Sequence, residues 1–236
     1  MEGGFSMFDN TSTITDYSHK SALTKSFLWM FLGLTITAVV AGVTFTTGFI
    51  YTLFSIPFVN LVVIFFPFIL CIFFGSAMRS SSSTKIKVMF LLYAFSLGFS
   101  MSTLALSYNL GMIATAFGIS ALYFLCLTFI GFTTKKDLSK LGTICMVGIF
   151  VIIFSQLLFM LFHVTYSVRL YSIVGLILFT GITAWDVQRM NKILMITSSQ
   201  AVEQEKIAIY FALQLYLDFL NIFLYILQLL GLHSDN

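Results

Sequence analysis

Charge is what this sequence has least of: 12 Lys and Arg and 9 Asp and Glu among 236 residues, or 9%, where soluble proteins average about 25%. With 59% hydrophobic residues and 28 Phe, too little polar surface remains to cover a water-soluble domain of this size. Disorder is excluded by the same numbers, since disordered chains are poor in aromatics and rich in charge. Cysteine is also scarce. Cys71, Cys126 and Cys145 sit singly inside apolar runs with no CxxC spacing, which argues against a disulfide framework or a zinc site and leaves them as small apolar residues. No His-x-x-x-His pair exists, so a zincin is excluded, and His19, His163 and His233 fall at segment ends, where they read as solvated. The only prolines, Pro57 and Pro67, share one apolar segment, where a kink or a mobile helix is expected.

What is present is a series of long apolar runs, unlike the short alternating segments of a transmembrane β-barrel. A helix needs about 20 apolar residues to cross a bilayer, and seven segments qualify, roughly 27–49, 53–78, 88–107, 110–132, 141–163, 170–190 and 207–231. The expected fold class is an all-α polytopic membrane protein. Residues 1–25 read as a polar cytoplasmic tail, 26–232 as a single seven-helix domain and 233–236 as a short C-terminal tail. The first 25 residues carry no basic n-region, so the first apolar segment is expected to be retained. Eleven Lys and Arg fall on one side of this arrangement and only Arg169 on the other. By the positive-inside rule the N-terminus is cytoplasmic and the C-terminus outside. Small-residue stripes that let membrane helices approach are expected at Gly33, Thr37 and Ala41, at Gly98 and Ser102, and at Gly111, Ala114, Gly118 and Ala121.

Seven of the nine acids lie in loops or tails; Asp186 and Asp218 lie inside spans. A charged side chain at the bilayer centre is expensive by every scale, so such a residue is a functional-site hypothesis. The alternative is a protonated Asp bonded to a neighbouring helix. Helical periodicity puts Gln214, Asp218, Asn221, Tyr225 and Gln228 within an arc of about 80° on the last span. Ser172, Gly175, Thr183 and Asp186 similarly share a face of the sixth. These polar faces should turn away from lipid. Two facing carboxylates in a poorly solvated site do not both ionise easily, so the pair should hold one proton and titrate as a unit. Such a pair could serve as a proton-sensitive latch, a site for a hard cation such as Ca2+, or an aspartic-protease-like dyad. Arg79, at the end of the second span, reads either as an interfacial anchor or as a partner for Asp186.

The segments Thr183-Ala184-Trp185-Asp186-Val187-Gln188-Arg189-Met190 and Leu215-Tyr216-Leu217-Asp218-Phe219-Leu220-Asn221-Ile222-Phe223 resemble the two signatures of the Bax inhibitor-1 (transmembrane Bax inhibitor motif) family. Gly131 to Ser139 and the Ala77-Met78-Arg79 turn are similar as well. The resemblance implies seven helices with the last near the bundle centre, a di-aspartyl pH sensor at Asp186 and Asp218, a pH-dependent Ca2+ leak, and an arginine at Arg79 able to pair with Asp186. It also implies, for eukaryotic members, suppression of cell death at the endoplasmic reticulum. The ending Leu232-His233-Ser234-Asp235-Asn236 lacks the basic tail of those members and points to a bacterial-type protein of the inner membrane, with the endoplasmic reticulum as the alternative.

The expected function is therefore a passive, proton-gated Ca2+ leak. Asp186 and Asp218 would be proton sensor and Ca2+ contact, Arg79 the latch, and Gln214, Asn221, Tyr225 and Thr183 polar support facing the pore. No cofactor, enzymatic step or nucleic acid is expected; the partners are the bilayer, Ca2+ and H+. The rivals are a non-conducting regulator or scaffold and a diaspartyl intramembrane protease. Against the protease, the bulky Leu215, Tyr216 and Leu217 precede Asp218 where proteases of that class have a Gly-x-Gly pattern. A retinal-type receptor would need a Lys inside the last span, and Lys206 only reaches its entrance.

Overall fold

In the computed structural model the backbone is described for residues 3–56, 58–80, 82–163, 165 and 167–234, and these are helical with no strand among them. The helices are α1 (Gly3–Thr46), α2 (Phe49–Ser55), α3 (Val59–Ser80), α4 (Ser83–Ser102), α5 (Leu104–Ser107), α6 (Leu110–Thr133), α7 (Ser139–Leu161), α8 (Val168–Ile196) and α9 (Ala201–Ser234). Six helices among the described residues are long and apolar enough to cross a membrane: those of α1, α4 with α5, α6, α7, α8 and α9. The expected second span falls across α2 and α3, where Phe65–Met78 is a shorter apolar stretch. Pro67 lies inside α3, which runs through it; Pro57 lies outside the described residues.

Helix ends follow local chemistry. Asn109 caps α6, its side-chain oxygen accepting from the Met112 N–H at 2.8 Å, as an N-cap Asn should. Between α1 and α2 the chain turns at Gly48, whose φ of 70° costs nothing without a Cβ. Several ends differ from expectation. The N-terminal stretch read as a tail is helical from Gly3, and Lys20 pairs with Asp16 one turn back at 2.7 Å. Helix α8 runs to Ile196 and α9 starts at Ala201, so most of the connection expected over 191–206 is helix. Apolar content stops there before helix propensity does, since Gln and Glu are good helix formers.

The chain divides into two compact units, with the division falling inside α8 and α9. The first unit holds Met1–Ser107 and Met190–Tyr216. In it Gly33 lets the rings of Phe90 and Tyr216 lie against α1, and Gly98 sits against Val40 and the Thr37 backbone. The Thr37 hydroxyl donates to the Ala94 carbonyl at 3.0 Å and meets the Tyr216 hydroxyl at 2.6 Å. His19, expected to be solvated, is half-buried, with Nε2 3.2 Å from the Asn191 carbonyl.

The second unit holds Tyr108–Arg189 and Leu217–Asn236. Gly131 of α6 abuts Val187 and the Ala184 carbonyl of α8, while Gly142, Gly148 and Cys145 of α7 meet Trp185, Leu178 and Gly181. The stripe expected at Gly111, Ala114, Gly118 and Ala121 is not a packing face: Gly118 has nothing within 4 Å of its Cβ position. The buried face of α6 is Ala116, Ser120, Phe124, Leu127 and Gly131, set about 200° away from Gly118 by the 3.6-residue period. Cys145 is buried, whereas Cys71 and Cys126 are exposed on apolar helix surfaces.

Candidate functional site

Helix α8 carries Ser172, Gly175, Thr183 and Asp186, and α9 meets them in reverse order. Ser172 donates to Gln228 Oε1 at 2.7 Å, the Tyr225 ring lies directly over Gly175, and Thr183 reaches the Asp218 carboxyl. Each step along α8 is thus matched by a step back along α9, as antiparallel helices in register require. The polar faces that periodicity drew on the two spans do meet.

Asp186 and Asp218 are 3% and 4% exposed, and Thr183 is fully buried. The two carboxyls are close enough to act on each other electrostatically. Asp186 Oδ1 and Asp218 Oδ2 are both buried without a hydrogen-bond partner. A buried charged oxygen without a partner is among the costliest features a fold can carry. A proton or a cation held between the two carboxyls would relieve both at once. The Thr183 hydroxyl gives its single hydrogen to the Phe179 carbonyl at 2.7 Å, which fixes its rotamer.

The remaining expected residues fall as follows. Asn221 donates to the Leu217 carbonyl of its own helix at 2.8 Å. The Tyr225 ring lies 5.9 Å from that of Phe179, tilted by 44°. Gln214, one turn before Asp218, has its Oε1 buried and unpartnered. Arg79 stands at the C-terminal end of α3, and its side chain lies outside the described residues.

Three residues not singled out from the sequence belong to this region. Arg189, one turn after Asp186, is the cation whose charge acts on that carboxyl, and its guanidinium lies over the Trp185 ring at 5.2 Å. In the sequence it reads as one of eleven basic residues at span ends. Gln188, 6% exposed, accepts from the Leu138 N–H at 3.0 Å and donates to the Thr134 and Lys136 carbonyls at 3.0 and 2.9 Å. Thr128 of α6 has a buried, unpartnered hydroxyl. The contacts of Tyr123 with Thr180 and of Gly131 with Ala184 and Val187 set Thr128 at the level of Thr183. Its only sequence signal was a hydroxyl in an apolar run. No group of three or more His, Cys, Asp or Glu gathers among the described residues, so the two carboxylates are not part of a larger acidic cage there.

Fold and site together define an integral membrane protein of packed helices with a buried carboxylate pair on two of its spans. Residues 19–235 match the family described as inhibitor of apoptosis-promoting Bax1, and the chain belongs to this Bax inhibitor-1 family. It is 35% identical to a protein of Borreliella burgdorferi over 89% of this chain and 90% of that one. It is 29% identical to protein RP147 of Rickettsia prowazekii over 97% and 100%. With the inner membrane protein YbhL of Escherichia coli K12 it shares 30% identity over 86% and 88%.

Proposed function

We propose that this protein is a pH-sensitive passive Ca2+ leak of the bacterial inner membrane, crossing it seven times with its N-terminus in the cytoplasm. The observation that carries the reading is the pair of buried, unpartnered carboxylate oxygens on Asp186 and Asp218. Two carboxylates, a hydroxyl and water make a weak oxygen site, which suits an ion that must leave as readily as it arrives. Ca2+ is then cargo rather than cofactor, and no covalent chemistry is involved. Bulky, fully buried Leu215 and Tyr216 stand just before Asp218 in place of small residues that would let a peptide backbone approach, which counts against proteolysis.

In this reading Arg79 is the latch that leaves, and Arg189, held on Trp185, is the charge that stays. Ionised Asp186 attracts Arg79 and the path is closed. Acid protonates the carboxylate, the attraction is lost, and α3 is freed. The sign is fixed by Coulomb's law: flux rises as pH falls.

The experiment is flux of Ca2+ into liposomes loaded with a Ca2+-sensitive dye, measured from pH 5 to pH 8. Asp186→Asn should flatten the pH dependence, and Arg79→Ala should raise flux at the alkaline end. A profile unchanged in Asp186→Asn rejects the latch. Absence of permeation at any pH assigns the protein to the non-conducting regulators.

A further inference from the structure

The loop between α6 and α7 is short and basic, with Lys135, Lys136 and Lys140 all exposed. It joins two helices apolar enough to cross a membrane, Leu110–Thr133 and Ser139–Phe159, so a bilayer crossed by both would bring its headgroups to this loop. Its acid, Asp137, is turned to the start of α7, accepting from the Ser139 N–H at 3.3 Å and the Ser139 hydroxyl at 2.8 Å. Clusters of basic residues beside membrane helices attract anionic headgroups, and an ordinary loop of this kind would do so without consequence for the protein.

This loop is not ordinary, because a buried side-chain amide holds its backbone. Gln188 spends both of its donors and an acceptor on three backbone groups within Thr134–Leu138. Gln188 belongs to the same helical turn as Asp186. That turn is gripped on its other sides too: Val187 against Gly131, Trp185 against Gly142, and Arg189 over Trp185. These contacts tie the loop backbone to the turn that bears Asp186.

We propose that the 134–140 loop is a docking surface for anionic phospholipid headgroups of the adjacent leaflet, and that Gln188 conveys its occupancy to the turn bearing Asp186. The second half of this statement rests on the leak reading above; the first half does not.

The test has two arms. The whole protein is placed in nanodiscs of phosphatidylcholine alone or with phosphatidylglycerol, and amide exchange is followed over 134–138. Anionic lipid should slow exchange in the wild type about fivefold or more, the equivalent of one lysine–headgroup contact. In the triple variant Lys135→Gln, Lys136→Gln, Lys140→Gln the two lipids should give the same rate. Equal exchange in both lipids for the wild type overturns the proposal, as does slowing retained in the triple variant. Millimolar inorganic phosphate reproducing the effect without anionic lipid also overturns it, because the site would then be for a soluble anion.

In the second arm, phosphatidylglycerol should change Ca2+ flux in wild-type liposomes and leave flux through the triple variant unchanged. Gln188→Ala should still conduct Ca2+, while its flux ignores the lipid composition. Should Gln188→Ala fail to fold, Gln188→Glu, which keeps the acceptor for Leu138 and loses both donors, serves instead. A flux response that survives loss of the Gln188 donors overturns the coupling. Absence of flux in every sample fails the leak reading, and the exchange arm then decides the lipid surface alone.

Discussion

An oxygen atom that carries charge, lies out of reach of water and has no donor is a liability that a stable fold would shed unless something is gained from it. Asp186 Oδ1 and Asp218 Oδ2 are both buried without a partner, and when either carboxyl ionises its oxygen becomes such an atom. Replacing one partner by its amide removes a charge, supplies two donors and preserves shape. Asp218→Asn should therefore raise the melting temperature at pH 8 by about 2–4 °C, the equivalent of about 1 kcal/mol for a chain of this length, while abolishing the pH response of Ca2+ flux. Thermal melting in detergent beside the liposome assay checks both. A destabilised Asp218→Asn would mean that the carboxylate is structural. The two acids could be found in the sequence because charge is so scarce there that an acid inside an apolar run has nothing to hide among. Arg189 was hidden for the converse reason, as basic residues at span ends are common. Gln188 was hidden because it is neutral, and its partners are backbone groups fifty residues away that no side-chain pattern reveals.

At the scale of helices, periodicity was enough to draw the facing polar stripes of α8 and α9, since a helical repeat fixes which residues share a face. It was not enough to say which glycines touch a neighbour. Gly175 and Gly118 look alike in sequence, yet Gly175 lies under the Tyr225 ring and Gly118 meets nothing. A methyl group at Gly175 would overlap that ring, and overpacking of this kind costs about 1–3 kcal/mol. Gly175→Ala should lower the melting temperature and Gly118→Ala should leave it unchanged. Combined with Tyr225→Ala, the Gly175→Ala penalty should shrink, because the atoms it collides with are gone; a double-mutant cycle reads this directly. Additive losses would show that the ring can move aside.

In the first unit, Thr37 and Tyr216 offer a second comparison. The single Thr37 hydroxyl hydrogen goes to the Ala94 carbonyl, so Tyr216 is the donor in their 2.6 Å contact. Tyr216→Phe removes that donor and leaves Thr37 satisfied, at a cost of about 0.6 kcal/mol, the usual value between membrane helices. Thr37→Val strands a fully buried tyrosine hydroxyl, and should cost roughly 2 kcal/mol more. Equal losses in the two variants would reject this donor assignment.

For the whole molecule the question is whether α3 crosses the membrane. Its 22 residues amount to about 33 Å of helix, enough for a hydrocarbon core of about 30 Å, although its apolar stretch Phe65–Met78 is shorter. Charge decides where length does not. If α3 crosses, eleven basic residues share one side and Arg169 is alone on the other. Without that crossing, every later connection changes sides: Lys20, Lys25 and Arg169 stand together against the remaining nine. The first distribution obeys the positive-inside rule more completely, so seven crossings are expected, with the termini on opposite faces. In a cysteine-free background, Gln200→Cys between α8 and α9 should react with an impermeant maleimide only after the cells are opened. Thr165→Cys between α7 and α8 should react in intact cells. Alkaline phosphatase fused after Asn236 should be active, and fused ahead of Met1 inactive. Six crossings would put both termini on one side, giving the two fusions the same activity, while Arg79 would stay on the side of Arg189 in either case.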